Sequence, residues 1–107
     1  MTSSNLFITD KAKQNLIDIV HYIAFEFSDK LAAQRIFKEI TDKFETIRLF
    51  PLIGAIVKND LVDDNQVRKV LVRKYNIFYK YIKKDNTVVI LSIYHSLSLK
   101  SGITAIS

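Results

Sequence analysis

A chain of 107 residues with 16 Lys and Arg against 11 Asp and Glu carries a net charge of +5. That length is one domain's worth, enough to bury roughly two thirds of its unfolded surface and to fold without covalent staples. Cysteine is absent, which excludes disulfides, thiolate metal sites and cysteine nucleophiles and fits a reducing compartment such as the cytoplasm.

Met1 to Ile8 lacks the basic start and long apolar core of a signal peptide, and no apolar run approaches the roughly 20 residues that span a bilayer. A soluble cytoplasmic protein built as a single domain over 1–107 is the expectation. Asn5 to Ile8 is a short apolar run that suits an edge strand. Thr9 then supplies an N-cap and Asp10 a first-turn negative charge that favours the helix dipole. Ala12, Leu16, Ile19, Val20, Ile23 and Phe27 recur at helical spacing, which predicts a helix to about Phe27. Ser28 is the expected cap of a second helix, with Asp29 in its first turn and a stripe of Ala33, Ile36, Phe37, Ile40, Phe44 and Ile47. A connection as short as Phe27 to Lys30 makes the two helices an antiparallel hairpin.

Phe50-Pro51-Leu52-Ile53-Gly54 ends the second helix, because proline disfavours helical geometry at the residue before it and glycine permits a positive φ. Ala55 to Asn65 reads as an acidic loop, with Ile56 and Val57 as apolar anchors. Val67 to Val72, Tyr75 to Ile82 and Val88 to Tyr94 are rich in β-branched and aromatic residues and predict three strands. Arg73-Lys74 joins the first two, and the polar run from Lys83 to Thr87 joins the last two. The last strand is apolar on both faces, which places it inside the sheet. Leu97 to Ser107 is a weakly patterned tail expected to fray. The sum is an α+β domain of order β-α-α-β-β-β, with a helix hairpin on a four-stranded, mainly antiparallel sheet.

The charge is unevenly placed. Asp10 to Arg48 holds seven acidic and seven basic residues, whereas Val67 to Lys84 holds Arg68, Lys69, Arg73, Lys74, Lys80, Lys83 and Lys84 with no acid. A basic sheet face of this kind attracts polyanions or an acidic protein partner. Lysines on edge strands also discourage sheet-to-sheet aggregation, so part of the cluster has a purely structural reading.

The order of parts is distinctive: a short strand, a helix hairpin with Ala12, Leu16, Ile19 and Tyr22-Ile23, then Leu49-Phe50-Pro51-x-x-Gly54, Val67-Arg68-x-x-x-Val72, Tyr75-x-Ile77-Phe78-Tyr79, and Val89-Ile90-Leu91-x-Ile93-x-His95. From Asn5 to Ser96 the chain resembles the RelE/ParE family of bacterial toxins. The resemblance implies a small basic toxin that arrests growth and is held inactive by a cognate antitoxin, which lays a helix and an extended segment across the basic sheet and the neighbouring helix groove. A homodimer and a heterotetramer with the antitoxin are both open. Family members of one kind resemble metal-free ribonucleases acting on messenger RNA at the ribosome; those of the other kind poison DNA gyrase.

Metal-free RNA cleavage needs a base for the ribose 2′-OH, cations for the phosphorane and an acid for the leaving oxygen. His95 has a suitable intrinsic pKa, and Arg68 or Lys74 would serve as the cation beside it. The resemblance places an arginine after the tyrosine of the third strand and a basic residue just past the last strand in nuclease members; here those places hold Asn76 and Ser96-Leu97-Ser98. His95 equally reads as a strand-end histidine bonded to backbone. His21 reads as a solvated surface residue. Lys69, Arg73, Tyr75, Tyr79, Lys80 and Phe25 are the candidates for target or antitoxin contact, with the face shared by Lys69, Leu71 and Arg73 turned to solvent. The tyrosines have a rival reading as core residues with a wet hydroxyl. Phe25, on the polar face of the first helix, is the clearest exposed apolar residue. No phosphate-binding loop, zinc-protease helix or nucleophile-elbow motif is present, and no cofactor is called for. The reading is therefore a toxin of a two-component module, inclined to gyrase inhibition, with messenger RNA cleavage or retained antitoxin binding alone as alternatives.

Overall fold

A computed structural model describes residues 3–57 and 66–97. Asn5–Ile8 forms β1, Asp10–His21 α1, Lys30–Leu49 α2, Ala55–Ile56 β2, Val67–Val72 β3, Tyr75–Ile82 β4 and Thr87–His95 β5. The sheet has five strands in the order β1-β5-β4-β3-β2, one more than expected, because Ala55 and Ile56 pair antiparallel with Lys69 and Arg68 instead of lying in a loop. β1 runs parallel to β5, and the other pairings are antiparallel. β5 is flanked by β1 and β4, the interior place its apolar run required. The expected loop beyond Val57 and the expected tail beyond Leu97 lie outside the described residues.

Both helices pack on one face of the sheet. Ala12, Ile36, Ile40, Phe44 and Ile47 meet Val72, Ile77, Tyr79, Val88, Ile90 and Ile93 there in one core. These are the stripes of helical period and the alternate residues of the strands, so the periodicity of the sequence is the packing of the fold. Thr9 starts α1 as expected: its Oγ1 accepts from the Ala12 N–H at 3.1 Å and donates to the Leu91 carbonyl at 3.0 Å. Leu91 is also where the β4–β5 register slips, since Phe78 faces Ser92 while the next residue, Tyr79, faces Ile90. The bulge thus presents a carbonyl to the cap, and the helix is pinned to the middle of the sheet.

Three local expectations change. The first helix ends at His21 and continues as a π-helical turn over Tyr22–Glu26, with the Tyr22 N–H shared between the carbonyls of Asp18 and Ile19. That wider turn and a left-handed Ser28 (φ 50) carry Phe27 out of the apolar stripe, leaving it 65% exposed. Asp29, not Ser28, caps α2, accepting from the Ala32 N–H at 2.9 Å. Gly54 does not have a positive φ. It is required for space: a Cβ there would sit 2.8 Å from the Tyr79 ring and hydroxyl and 2.9 Å from the Lys69 carbonyl oxygen.

Tyr79 explains that crowding. It is fully buried in β4, and its hydroxyl accepts from the Gly54 N–H at 2.8 Å and donates to the Pro51 carbonyl at 2.8 Å. The corner after α2 is therefore fastened to the central strand by one side chain. Tyr79→Phe leaves a buried donor and an acceptor unpaired, an expected loss of about 1–3 kcal/mol. Gly54→Ala should cost at least as much, because the groups it meets are a locked ring and a strand carbonyl. Thermal unfolding of each variant checks this, with a drop of roughly 4–8 °C per kcal/mol expected for a domain of this size.

Candidate functional site

The strand alternation sorts the basic residues, and it does not put them on one face. Lys69 faces Phe78, and Lys80 faces Val67, so both lysines project from the open side of the sheet. As diagonal neighbours their Cβ atoms are about 7–8 Å apart. Arg68 projects to the helix side, opposite Tyr79, and its Nη1 donates to the carbonyls of Gly54 at 2.8 Å and Leu52 at 3.2 Å. Arg73 and Lys74 form the β3–β4 turn, where Arg73 is left-handed (φ 54), so Arg73 does not share the strand face of Lys69 and Leu71. Lys83 and Lys84 lie in a 3₁₀ turn at the far end of β4. The expected single basic face is corrected to two lysines on the open sheet and a cationic turn at each end, since turn residues do not follow the alternation of strands.

Arg73 is also neutralised. Its Nε and Nη2 grip the two carboxylate oxygens of Glu39 at 2.5 and 2.9 Å, a bidentate fork from the hairpin turn to α2. The hydrogen bond from Arg73 holds the Glu39 carboxyl below the usual carboxylate range.

Four candidates gather at this end of the sheet. Arg73, Lys74, Tyr75 and His95 line a cleft of about 790 Å³ between the helix hairpin and the ends of β4 and β5. Ile19, Ile23, Ile36 and Ile93 give it an apolar floor, and Tyr22, Arg35 and Asn15 stand around it. Tyr75 and His95 face each other across the β4–β5 pairing and meet edge to face, with ring centres 5.3 Å apart. Burial, and after it the neighbouring Tyr22, raises the pKa of the Tyr75 hydroxyl. His95 Nδ1 accepts from the Leu97 N–H at 3.0 Å, so neutral His95 carries its proton on Nε2. That is the backbone-bonded strand-end histidine of the simpler reading, with a donor left over.

The remaining candidates lie elsewhere. Tyr79, expected as a contact residue, is core, as the rival reading of the strand tyrosines has it, but its hydroxyl is not wet: it is taken by the Pro51–Gly54 corner. Arg68 and His95 lie opposite Tyr79 and Tyr75 respectively, which separates them by about 13 Å along the strands. Phe25 is 72% exposed at the tip of the helix hairpin, as expected, and Leu31 (69%) extends that apolar tip, whereas Phe27 (65%) meets Tyr22 edge to face and lines the cleft. Sequence reasoning placed Phe27 in the core; the glycine-free left-handed Ser28 that turns it out leaves no compositional signal.

On the open sheet face, Asn76, Phe78 and Ser92 are nearly closed off although both helices lie on the other side. Phe78 stacks at a tilt on Tyr94 at 6.3 Å, and Lys11 Nζ stands 5.3 Å over the Tyr94 ring. Phe7 and Leu71, each 58% exposed, flank this strip. No cluster of His, Asp and Glu able to hold a metal ion occurs among the described residues, and none of their helices is long and apolar enough to cross a membrane.

A helix hairpin packed on one face of a five-stranded, mainly antiparallel sheet is a fold shared with solved RelE/ParE-like structures. Residues 6–98 match the family model described as the ParE toxin of the type II toxin-antitoxin system parDE, and the chain belongs to that family. Solved structures of the same fold include the toxin-antitoxin complex RelBE2 from Mycobacterium tuberculosis, 18% identical, with 88% of this chain and 99% of that one covered at a TM-score of 0.66. The chromosomal ParDE system from P. aeruginosa is 20% identical, with 87% and 96% covered and a TM-score of 0.66. The archaeal RelE-RelB complex from Pyrococcus horikoshii OT3 is 13% identical, with 89% and 97% covered and a TM-score of 0.61. No curated protein matches the sequence.

The Arg73–Glu39 fork makes a pH prediction. A carboxyl whose pKa is lower folded than unfolded contributes stability that is present above its unfolded pKa and lost as pH falls through the folded value. Glu39→Gln should therefore flatten the stability profile on the acid side of the ordinary carboxylate range and leave the profile above neutrality parallel to the parent's. Urea unfolding at a series of pH values checks it.

Proposed function

We propose that this chain is a growth-arresting toxin that inhibits DNA gyrase without cutting nucleic acid, and that a cognate antitoxin encoded with it masks the toxin until it is released. The observation that carries the non-nucleolytic reading is the separation of Arg68 from the other catalytic candidates: His95 and Lys74 share the cleft, but Arg68 lies about 13 Å along the strands from His95. Cleavage needs base, acid and cation around one phosphate; Arg68 is committed to the Leu52–Gly54 carbonyls at one end of β3 while His95 and Lys74 sit at the other end of the sheet. Among the described residues the open face adds no substitute, because its centre is Asn76, Phe78, Ser92 and Tyr94, with no carboxylate, imidazole or cation among them. Lys69 and Lys80 supply charge for meeting an acidic surface, which steers encounter without chemistry.

The antitoxin has a natural anchor in the hairpin tip. Phe25 and Leu31, both exposed beyond six tenths, line one shallow hollow with Ala24, an apolar patch of the kind that marks a protein interface. The P. aeruginosa and M. tuberculosis relatives are themselves seen in toxin-antitoxin systems.

Two experiments test this. On induction, plasmid supercoiling should fall while mapped transcript ends stay unchanged, and the purified chain should inhibit gyrase in a supercoiling assay; an unaffected gyrase, or new transcript ends at ribosome-protected codons, overturns the reading in favour of messenger RNA cleavage. Phe25→Ser should weaken antitoxin binding at least about tenfold, as expected when an interface anchor worth more than 1.4 kcal/mol is removed. Its thermal midpoint should stay within a few degrees of the parent's, since exposed substitutions usually change stability by about 0.5 kcal/mol or less.

A further inference from the structure

The cleft at the hairpin end has a chemistry that gyrase inhibition does not use. Its volume of about 790 Å³ falls in the range of small-molecule sites, roughly 300–1,000 Å³. Its polar groups are mostly donors, and local hydrogen bonds fix that polarity. Asn15 Oδ1 accepts from the Ile93 N–H at 2.9 Å, so what the carboxamide offers the cleft is its Nδ2 hydrogens. His95 Nδ1 is likewise taken by the Leu97 N–H, so Nε2 is the donor it presents. Arg35 and Lys74 add two cations to the lining. The one carboxylate among the lining residues, Asp18, accepts from Gln14 Nε2 at 2.9 Å. Beneath these donors lie Ile23, Ile36 and Ile93, and the Tyr22 and Tyr75 rings stand at the side.

A rim of donors and cations over an apolar floor with aromatic walls fits a ligand that is an anion at one end and a flat ring at the other. Bare phosphate would leave the floor unused, and an uncharged ring would leave the donors unpaired. We propose that this cleft binds a nucleoside monophosphate, its phosphate at Arg35, Lys74 and His95 Nε2 and its base against Tyr22 and Tyr75. The site is on the helix side of the sheet, away from Lys69 and Lys80, so it neither requires the gyrase reading nor fails with it.

The test is a titration of the purified free chain with adenosine 5′-monophosphate, adenosine and inorganic phosphate, each followed by the NMR shifts of the Ile93 amide, the Asn15 side-chain amide and the His95 ring nitrogens. The nucleotide should saturate these signals and bind at least about tenfold more tightly than either fragment, because both halves of the cleft contribute. Arg35→Ala and Lys74→Ala, both at exposed side chains, should each weaken it about tenfold, whereas Lys83→Ala removes the same charge from the far end of the sheet and should change nothing. Phosphate alone binding as tightly as the nucleotide, equal losses in Lys83→Ala and Lys74→Ala, or unmoved signals at millimolar nucleotide would each overturn the proposal.

Discussion

The Tyr79 hydroxyl is the point on which the arrangement of the sheet depends. It lies in the core of the central strand, yet it reaches the corner where the chain leaves α2, bonding the Pro51 carbonyl and the Gly54 N–H. Pro51 stops the helix, Gly54 makes room for the ring, and Arg68 holds the carbonyls of Leu52 and Gly54 from the other side. Two residues distant in sequence, Arg68 and Tyr79, thus fix the Pro51–Gly54 turn. The turn sets where Ala55 and Ile56 emerge, and so gives the sheet its fifth strand beside β3. A phenol buried for this purpose is satisfied at both its donor and its acceptor, so the polar atom specifies a geometry without an unpaired group.

Much of this was legible in the chain. The helical stripes, the Thr9 cap, the Pro51 stop, the two tight strand connections and the interior place of β5 all follow from local period and turn chemistry. What was not legible depends on pairs distant in sequence. A two-residue strand such as β2 has no period of its own and exists only because Lys69 and Arg68 lie opposite it. The role of Gly54 looked conformational and is steric, because the ring it accommodates comes from 25 residues further on. The π-helical turn after His21 has no marker residue, so the exposure of Phe27 could not be read from spacing.

The candidate site divides along the same line. Counting charges found the basic segment, and among the described residues the segment contains every Lys and Arg near the cleft or on the open sheet except Lys11 and Arg35. Counting could not say which of those charges are spent. Arg68 serves a backbone corner and Arg73 serves Glu39; only the fold distinguishes them from Lys69, Lys74 and Lys80. A run of seven basic residues is therefore a smaller field than its length suggests, with the open sheet carrying Lys69 and Lys80, the cleft end Lys74, and the far turn Lys83 and Lys84.

The β3–β4 turn shows how a strained residue can organise that end. Arg73 adopts a left-handed backbone that favours glycine, asparagine or aspartate, and a long side chain there persists only when its surroundings over-determine it. The fork to Glu39 does this, tying the turn to the middle of α2. On the far side of the turn the Lys74 carbonyl accepts from the Ser96 N–H at 2.7 Å, which ties the same turn to the end of β5. The hairpin apex is thereby held from both flanks, and with it Tyr75 against His95 and Lys74 at the mouth of the cleft. Because exposed ion pairs by themselves contribute little to stability, the value of the fork lies in position: it keeps donors and rings at fixed places before any ligand arrives, so that less ordering remains to be done on binding.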